Sequence, residues 1–296
     1  MLLNKPFTST RTPPSGHNHA LARFLMQQHA PAQTFRIHTA YRTTVQSENG
    51  TLITIYPQSF MDASGRLVTE EVDIHFKEVK GRQEMIFSNV VPTCEDRILP
   101  LNNQLWLNAV QRRTPLQLVR PLEIAIEASG LRYKTASLHL FRASISSTQA
   151  FQAEKNFDWK LAPETVIKIE KRNNKQYLLF ESDQMGWMNC NYLLPERGHR
   201  TMLTAKLDAP VEHFDDLIGF LALEGMEGLV RMYPGLHALT AINVPQKLSV
   251  KVLAIGLSEN QLYLADSSWF EAAQKRVFLT MQPASNESLL DAIRAF

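Results

Sequence analysis

The sequence predicts a mainly β protein: two consecutive β-sandwich domains with short N- and C-terminal helices. Three observations predict it. Apolar and polar side chains alternate with a period of two over most of the chain, turn residues interrupt that alternation at short intervals, and helical periodicity is confined to one segment near each end. Of 296 residues, 44% are hydrophobic and 20% charged, which supplies enough apolar material for sizeable cores.

Residues 1–18 are rich in Thr, Pro, Ser and Asn, have little to bury, and read as a mobile leader. In HALARFLMQQH, residues 19–29, Leu21, Phe24, Leu25 and Gln28 recur at helical spacing, and a short amphipathic helix is expected to end before Pro31. From Phe35 the period changes to two. Val72, Ile74 and Phe76 alternate with Asp73, His75 and Lys77, so this strand has one buried and one wet face. The preceding TLITI run is a strand, and DASGR is a turn in which Gly65 takes a positive φ. Leu105, Leu107 and Ala109 share a strand face, and LEIAIEA and SLHLFRA repeat the pattern. TVIKIEK and QYLLFES flank an Asn-rich turn and read as a hairpin, after which Gly186 permits a bend before Trp187.

A third section starts near His199. Short runs such as TMLTAKL, LIGFLAL, GLVRMYP and RVFLTMQ, separated by turn residues, suggest a compact Ig-like sandwich. In SNESLLDAIRAF, Ser285 or Asn286 caps a helix whose stripe is Leu289, Leu290 and Ile293. The resulting division is a leader with a short helix over 1–32, a sandwich over 33–198, an Ig-like sandwich over 199–284 and a helix over 285–296.

Bulk chemistry excludes several function classes. The 31 basic and 29 acidic residues leave a net charge of +2, too even for a nucleic-acid surface. No apolar run reaches the roughly 18 residues of a membrane span. The N-terminus shows no apolar stretch of roughly 7–15 residues, so the chain is expected inside the cell, exported by a non-classical route, or stripped of a signal. The cysteines Cys94 and Cys190 read as two buried thiols rather than a bridge.

The stretches GTLITIYPQSFMDASGRLVTEEVDIHFKEV, SNVVPT and MGWMNC resemble a bacterial β-sandwich family whose first part is similar to the module of ankyrins and netrin receptors, followed by an Ig-like domain. Gly50, Thr51, Ile53, Ile55, Pro57, Phe60, Asp62, Gly65 and Val68 match its first motif, and Gly186, Trp187, Asn189 and Cys190 its second; Asn191 stands where the family has Asp. The resemblance implies the fold over roughly residues 33–283. It implies no activity.

Some modules of this type cleave their own backbone at His-Phe-Ser, where a hydroxyl attacks the preceding carbonyl. Here His75-Phe76 is followed by Lys77 and His213-Phe214 by Asp215, and neither supplies that hydroxyl. His17-Asn18-His19 lacks the further ligands of a closed metal site. Asp215, Asp216, Glu224 and Glu227 lack the ligand spacing of a calcium loop. Arg112, Arg113, Lys168, Lys171, Arg172 and Lys175 read as solvated strand ends. Phosphate-binding glycine motifs and a nucleophile elbow are missing. Trp106 and Trp187 read as core.

The reading is therefore a non-catalytic structural or interaction subunit of a larger bacterial assembly, with no catalytic residues, metal or cofactor. Its partners are other protein subunits or further copies of itself, reached through sheet edges and terminal helices. Candidate contact residues are Trp269 and Phe270 after a turn, with Leu21, Phe24 and Leu25 on the leader helix. An envelope-associated binder of a small ligand or carbohydrate is the alternative, and an autoproteolytic or hydrolytic enzyme comes third.

Overall fold

The computed structural model describes residues 20–94, 97–101, 103–128, 138–143, 159–195 and 198–296. The leader 1–18 and the His17-Asn18-His19 motif lie outside the described residues. The chain is mainly β; the described residues form three large sheets, two small two-stranded ones and three α-helices.

The first sheet runs in the order Gln33–His38, Glu71–Val79, Gln104–Gln111, Gly186–Asn191, His139–Ala143, Trp159–Ala162, with Thr114–Pro115 folded back on Gln104–Gln111. The second runs Lys168–Arg172, Lys175–Ser182, Leu122–Glu127, Leu52–Ile55, Thr43–Gln46. Pairing in both is antiparallel. Because side chains alternate across a strand, Val72, Ile74 and Phe76 meet Ile53, Ile124, Leu178 and Phe180 of the second sheet in one core. Each such side chain contributes about 1.5–3 kcal/mol on burial. The DASGR turn closes as expected: Gly65 has φ +82°, and Asp62 Oδ1 accepts from Ser64 N at 2.8 Å and Arg66 N at 3.0 Å.

The third sheet bends into two limbs. Asp216–Leu223, Ser249–Ser258, Gln261–Asp266 and Gln282–Ala284 form one; Arg276–Leu279, Arg200–Leu207 and Ala238–Pro245 form the other. Leu229–Pro234 belongs to both, pairing first with Asp216–Leu223 and then with Ala238–Pro245. Arg276–Leu279 lies parallel to Arg200–Leu207, while its other strands pair antiparallel. Between the limbs sits a second core of Leu203, Leu239, Val244, Leu217, Leu221, Val250 and Val252.

Helices α1 (Ala20–Met26), α2 (Gly81–Ser88) and α3 (Asn286–Ala295) build a third core that joins the first sheet to the third. Leu21, Leu25, Met85, Ile86, Leu289 and Ile293 pack with Trp106, Trp159 and Trp187 on one side and with Ile218, Phe220, Leu253 and Ile255 on the other. Asp216–Leu223 is therefore apolar on both faces: Leu217, Leu221 and Leu223 enter the core between the limbs, while Ile218, Phe220 and Ala222 enter the helix layer. Helix α3 starts from the expected cap, Ser285, whose Oγ accepts from Ser288 N at 3.1 Å.

This arrangement corrects one expectation. Leu21 and Leu25 are 0% and 1% exposed, because the sheets of the same chain cover the α1 stripe. They do not form a free docking surface, and Phe24 packs partly buried against the same core. The two cysteines are buried in different cores and are not joined by a disulfide.

Candidate interaction surface

The sequence-predicted contact residues separate in the structure. Trp269 is 42% exposed, and its ring stacks on Arg82, whose guanidinium carbon lies 5.7 Å from the ring centre. Arg82 is itself structural. It donates to the carbonyls of Phe296 at 2.9 Å, Leu223 at 2.8 Å and Met226 at 2.7 Å, which ties α2 to the third sheet. Burial lowers its pKa, opposed by Glu227. Phe270, next to Trp269, corrects another expectation. It is half-buried against the core between the limbs, because its backbone pairs with Val250 at the sheet margin.

The polar candidates have local partners. Asp216 Oδ2 accepts from Leu21 N at 3.0 Å and holds the start of α1, and Asp215 Oδ2 accepts from Glu259 N at 2.8 Å. Arg172 pairs with Glu170 and Glu123, and Lys175 with Glu127, across the outer face of the second sheet. His75 lies on the first sheet's helix-facing side, while His213 sits in a short helical turn, exposed. No group of three metal-binding side chains occurs among the described residues. No helix among them is long and apolar enough to cross a membrane. Trp106 and Trp187 are cross-strand neighbours in the helix-facing core.

Two of the matched motif residues, Gly50 and Thr51, serve the scaffold. Glu78 is buried at the end of the Glu71–Val79 strand, and both its oxygens accept hydroxyls at 2.6 Å, from Ser47 and Thr51. Gly50, at φ +86°, passes so close to Glu127 Oε2 that a Cβ would collide with it. This lock holds the Thr43–Gln46 edge strand beside the Gln33–His38 edge strand. An open groove of about 450 Å³ lies between them, lined by Gln33, Thr34, Phe35, Gln46, Ser47 and Glu48.

A more distinctive surface lies on the third sheet, and the sequence reading did not single it out. The outward positions of its second limb carry Met202, Tyr233, Ile242 and Phe278, exposed by 58%, 45%, 39% and 77%. Leu236, at 81%, stands on the turn between Leu229–Pro234 and Ala238–Pro245. These are five of the eleven large hydrophobics exposed among the described residues, so they form a cluster and not the usual scatter. The register places them together. Thr204 pairs with Thr240 and with Arg276; Lys206 pairs with Ala238 and with Phe278; Tyr233 pairs with Thr240. The ladder is irregular between Thr201 and Leu203, which puts Met202 beside the turned-out Ile242 end of the neighbouring strand. The same alternation that buries Leu203, Ala205, Leu239 and Ala241 forces these apolar residues into water. A helix layer covers the outer face of the other limb, whereas Met202, Tyr233, Ile242 and Phe278 stay exposed on this one.

Comparison with family models, curated proteins and solved structures found no match to the chain.

Proposed function

We propose that this chain is a non-catalytic interaction module: two consecutive sandwiches, the second Ig-like, tied by the helix layer and offering the outer face of the second limb to a partner. The resemblance to the ankyrin and netrin-receptor module supports the reading of the first and second sheets as a presenting scaffold. One observation carries the proposal, the concentration of Met202, Tyr233, Leu236, Ile242 and Phe278 on one sheet face. Exposed apolar side chains in such a group weaken solubility unless something covers them.

The test is purification of the full chain from its native host by an affinity tag, with mass measurement in solution. The wild type is expected to emerge with a partner at fixed stoichiometry. Met202→Asp with Phe278→Asp, at exposed positions, is expected to fold with an unchanged circular dichroism spectrum and to lose that partner. An unchanged complex in the double variant refutes the reading.

A further inference from the structure

The chemistry of the covering element can be read from the same face; this inference rests on the docking reading above. The outer face of the second sheet is laced with opposite charges: Arg172 lies 2.8 Å from Glu170 and Lys175 lies 2.9 Å from Glu127. The outer face of the third sheet's second limb carries Lys206 and Arg276, both exposed, and neither has an ion-pair partner among the described residues. The strands Arg200–Leu207, Leu229–Pro234, Ala238–Pro245 and Arg276–Leu279 contain no Asp or Glu at all. In a chain with 31 basic and 29 acidic residues, that is a one-signed patch within a balanced whole. Lys206 Nζ instead lies 5.9 Å from the Phe278 ring centre, over an apolar neighbour.

Side-chain size adds shape. Thr204 and Thr240 occupy the middle of the face and are small and half-buried. Met202, Ile242, Tyr233, Leu236 and Phe278 stand around them and are large and exposed. Thr204 and Thr240 make a shallow trough between the taller Met202 and Ile242 at one end and Lys206 with Phe278 at the other, where Lys206 stands beside Ala238. The two central strands, Arg200–Leu207 and Ala238–Pro245, have 8 residues each and run about 26 Å at about 3.3 Å per residue, with the shorter Leu229–Pro234 and Arg276–Leu279 on either side. A helix of about 16 residues is roughly 24 Å long and fits that length. The chain already uses this solution on the other limb, where α1, α2 and α3 cover the outward side chains Ile218, Phe220, Leu253 and Ile255.

We infer that the trough receives an amphipathic helix of another protein, with an apolar stripe against Met202, Ile242 and Phe278 and Asp or Glu flanks against Lys206 and Arg276. Three other occupants fit less well. A second copy docking by the same face offers four strands without Asp or Glu, so Lys206 and Arg276 gain no carboxylate from it. A bilayer surface leaves the floor of Thr204 and Thr240 unfilled. Two exposed cations are too few for a nucleic-acid backbone.

The experiment is selection of a displayed library against the full-length chain. Each member is a 16-residue helix with a fixed Leu/Ala stripe and flanks randomised among Glu, Lys and Gln. The expected result is enrichment of Glu over Lys by tenfold or more at the flanks. That preference is expected to reverse toward Lys on Lys206→Glu/Arg276→Glu, and all enrichment is expected to vanish on Phe278→Asp. Enrichment that depends on Phe278 without flank preference overturns the acidic partner and leaves the docking surface standing. So does Phe278-dependent binding to vesicles of phosphatidylcholine and phosphatidylglycerol in place of any peptide, or a Phe278-dependent dimer. Selection that is identical for the wild type and Phe278→Asp, with no vesicle binding and no dimer, overturns the docking surface itself.

Discussion

Lys77 and Glu84 form a 2.9 Å ion pair beneath helix α2, with the lysine side chain only 2% exposed. Lys77 projects from Glu71–Val79, the second strand of the first sheet, and Glu84 from the first turn of α2, so the pair pins the helix layer to that sheet. Breaking a buried pair from one side leaves a stranded charge. Glu84→Gln is therefore expected to lower unfolding free energy by about 3 kcal/mol. Lys77→Met with Glu84→Leu removes both charges and keeps the volume, and is expected to stay within about 1.5 kcal/mol of the wild type. Burial draws the Lys77 pKa below its ordinary value, and Glu84 opposes the shift. Between the lowered and the ordinary value, the unfolded chain holds a proton that the folded chain has released. Stability contributed by this group consequently rises with pH through that alkaline window. Urea titrations between neutral pH and pH 10 are expected to show the rise in the wild type and a smaller one in Lys77→Met.

Three tight turns share a backbone shape but not a chemistry. Asn173 and Asn174 have φ 50° and 62°, Glu259 and Asn260 have 48° and 66°, and Arg112 and Arg113 have 50° and 70°. Paired left-handed residues match the twist of a two-residue hairpin, and Asn or Gly adopts them most readily. Arg-Arg does not, and the exposed Arg112–Glu70 contact at 3.4 Å offsets little of that strain. Arg112→Asn with Arg113→Gly is expected to stabilise the chain by roughly 1 kcal/mol, read as a higher urea midpoint with an unchanged slope.

Much of this architecture was legible in the sequence, because strand alternation and turn residues are local signals. The DASGR turn, the Asn173-Asn174 hairpin, α1, the Ser285 cap and the strand through Val72, Ile74 and Phe76 all follow from neighbours in the chain. What was not legible is what covers the far side of a strand. Lys77 occupies a position that alternation marks as wet, yet α2 closes over it. Helix α2 itself gave no stripe to read, since Met85, Ile86, Phe87 and Ser88 are all buried in succession. The exposed apolar face was hidden for the opposite reason. Met202, Ile242 and Phe278 look like core residues in isolation, and only sheet register shows them pointing outward. A signal is present in the missing carboxylates of those strands, but a net charge of +2 over the whole chain averages it away.

The thiols offer a probe of the two cores. Burial alone pushes the Cys190 pKa far above its ordinary value, and a thiol held protonated and out of solvent is a poor nucleophile. Cys94 is buried in the helix layer and Cys190 between the first two sheets. In native buffer at pH 8 neither is expected to react with a disulfide reagent within minutes, and both are expected to react in urea. Fast labelling of Cys94 alone would show that the helix layer opens before the sandwich core.

Gly228 marks where the third sheet meets the segment Arg97–Leu101. Its N–H donates to Pro100 O at 3.0 Å, and a Cβ added there would stand 2.5 Å from Leu99 O and 3.2 Å from Pro100 Cα. Both obstacles are backbone, and Leu99 is fully buried in the helix-layer core, so the segment cannot retreat without opening that core. Gly225, three residues earlier, meets nothing within 4 Å but has φ +71°, so Ala there introduces backbone strain without a collision. Gly228→Ala is expected to cost about 2–3 kcal/mol through overpacking, and Gly225→Ala about 1 kcal/mol. Denaturation melts of the two variants compare the terms directly. Equal losses would mean that the contact between Gly228 and Leu99 is loose, and that the helix layer alone holds the first and third sheets together.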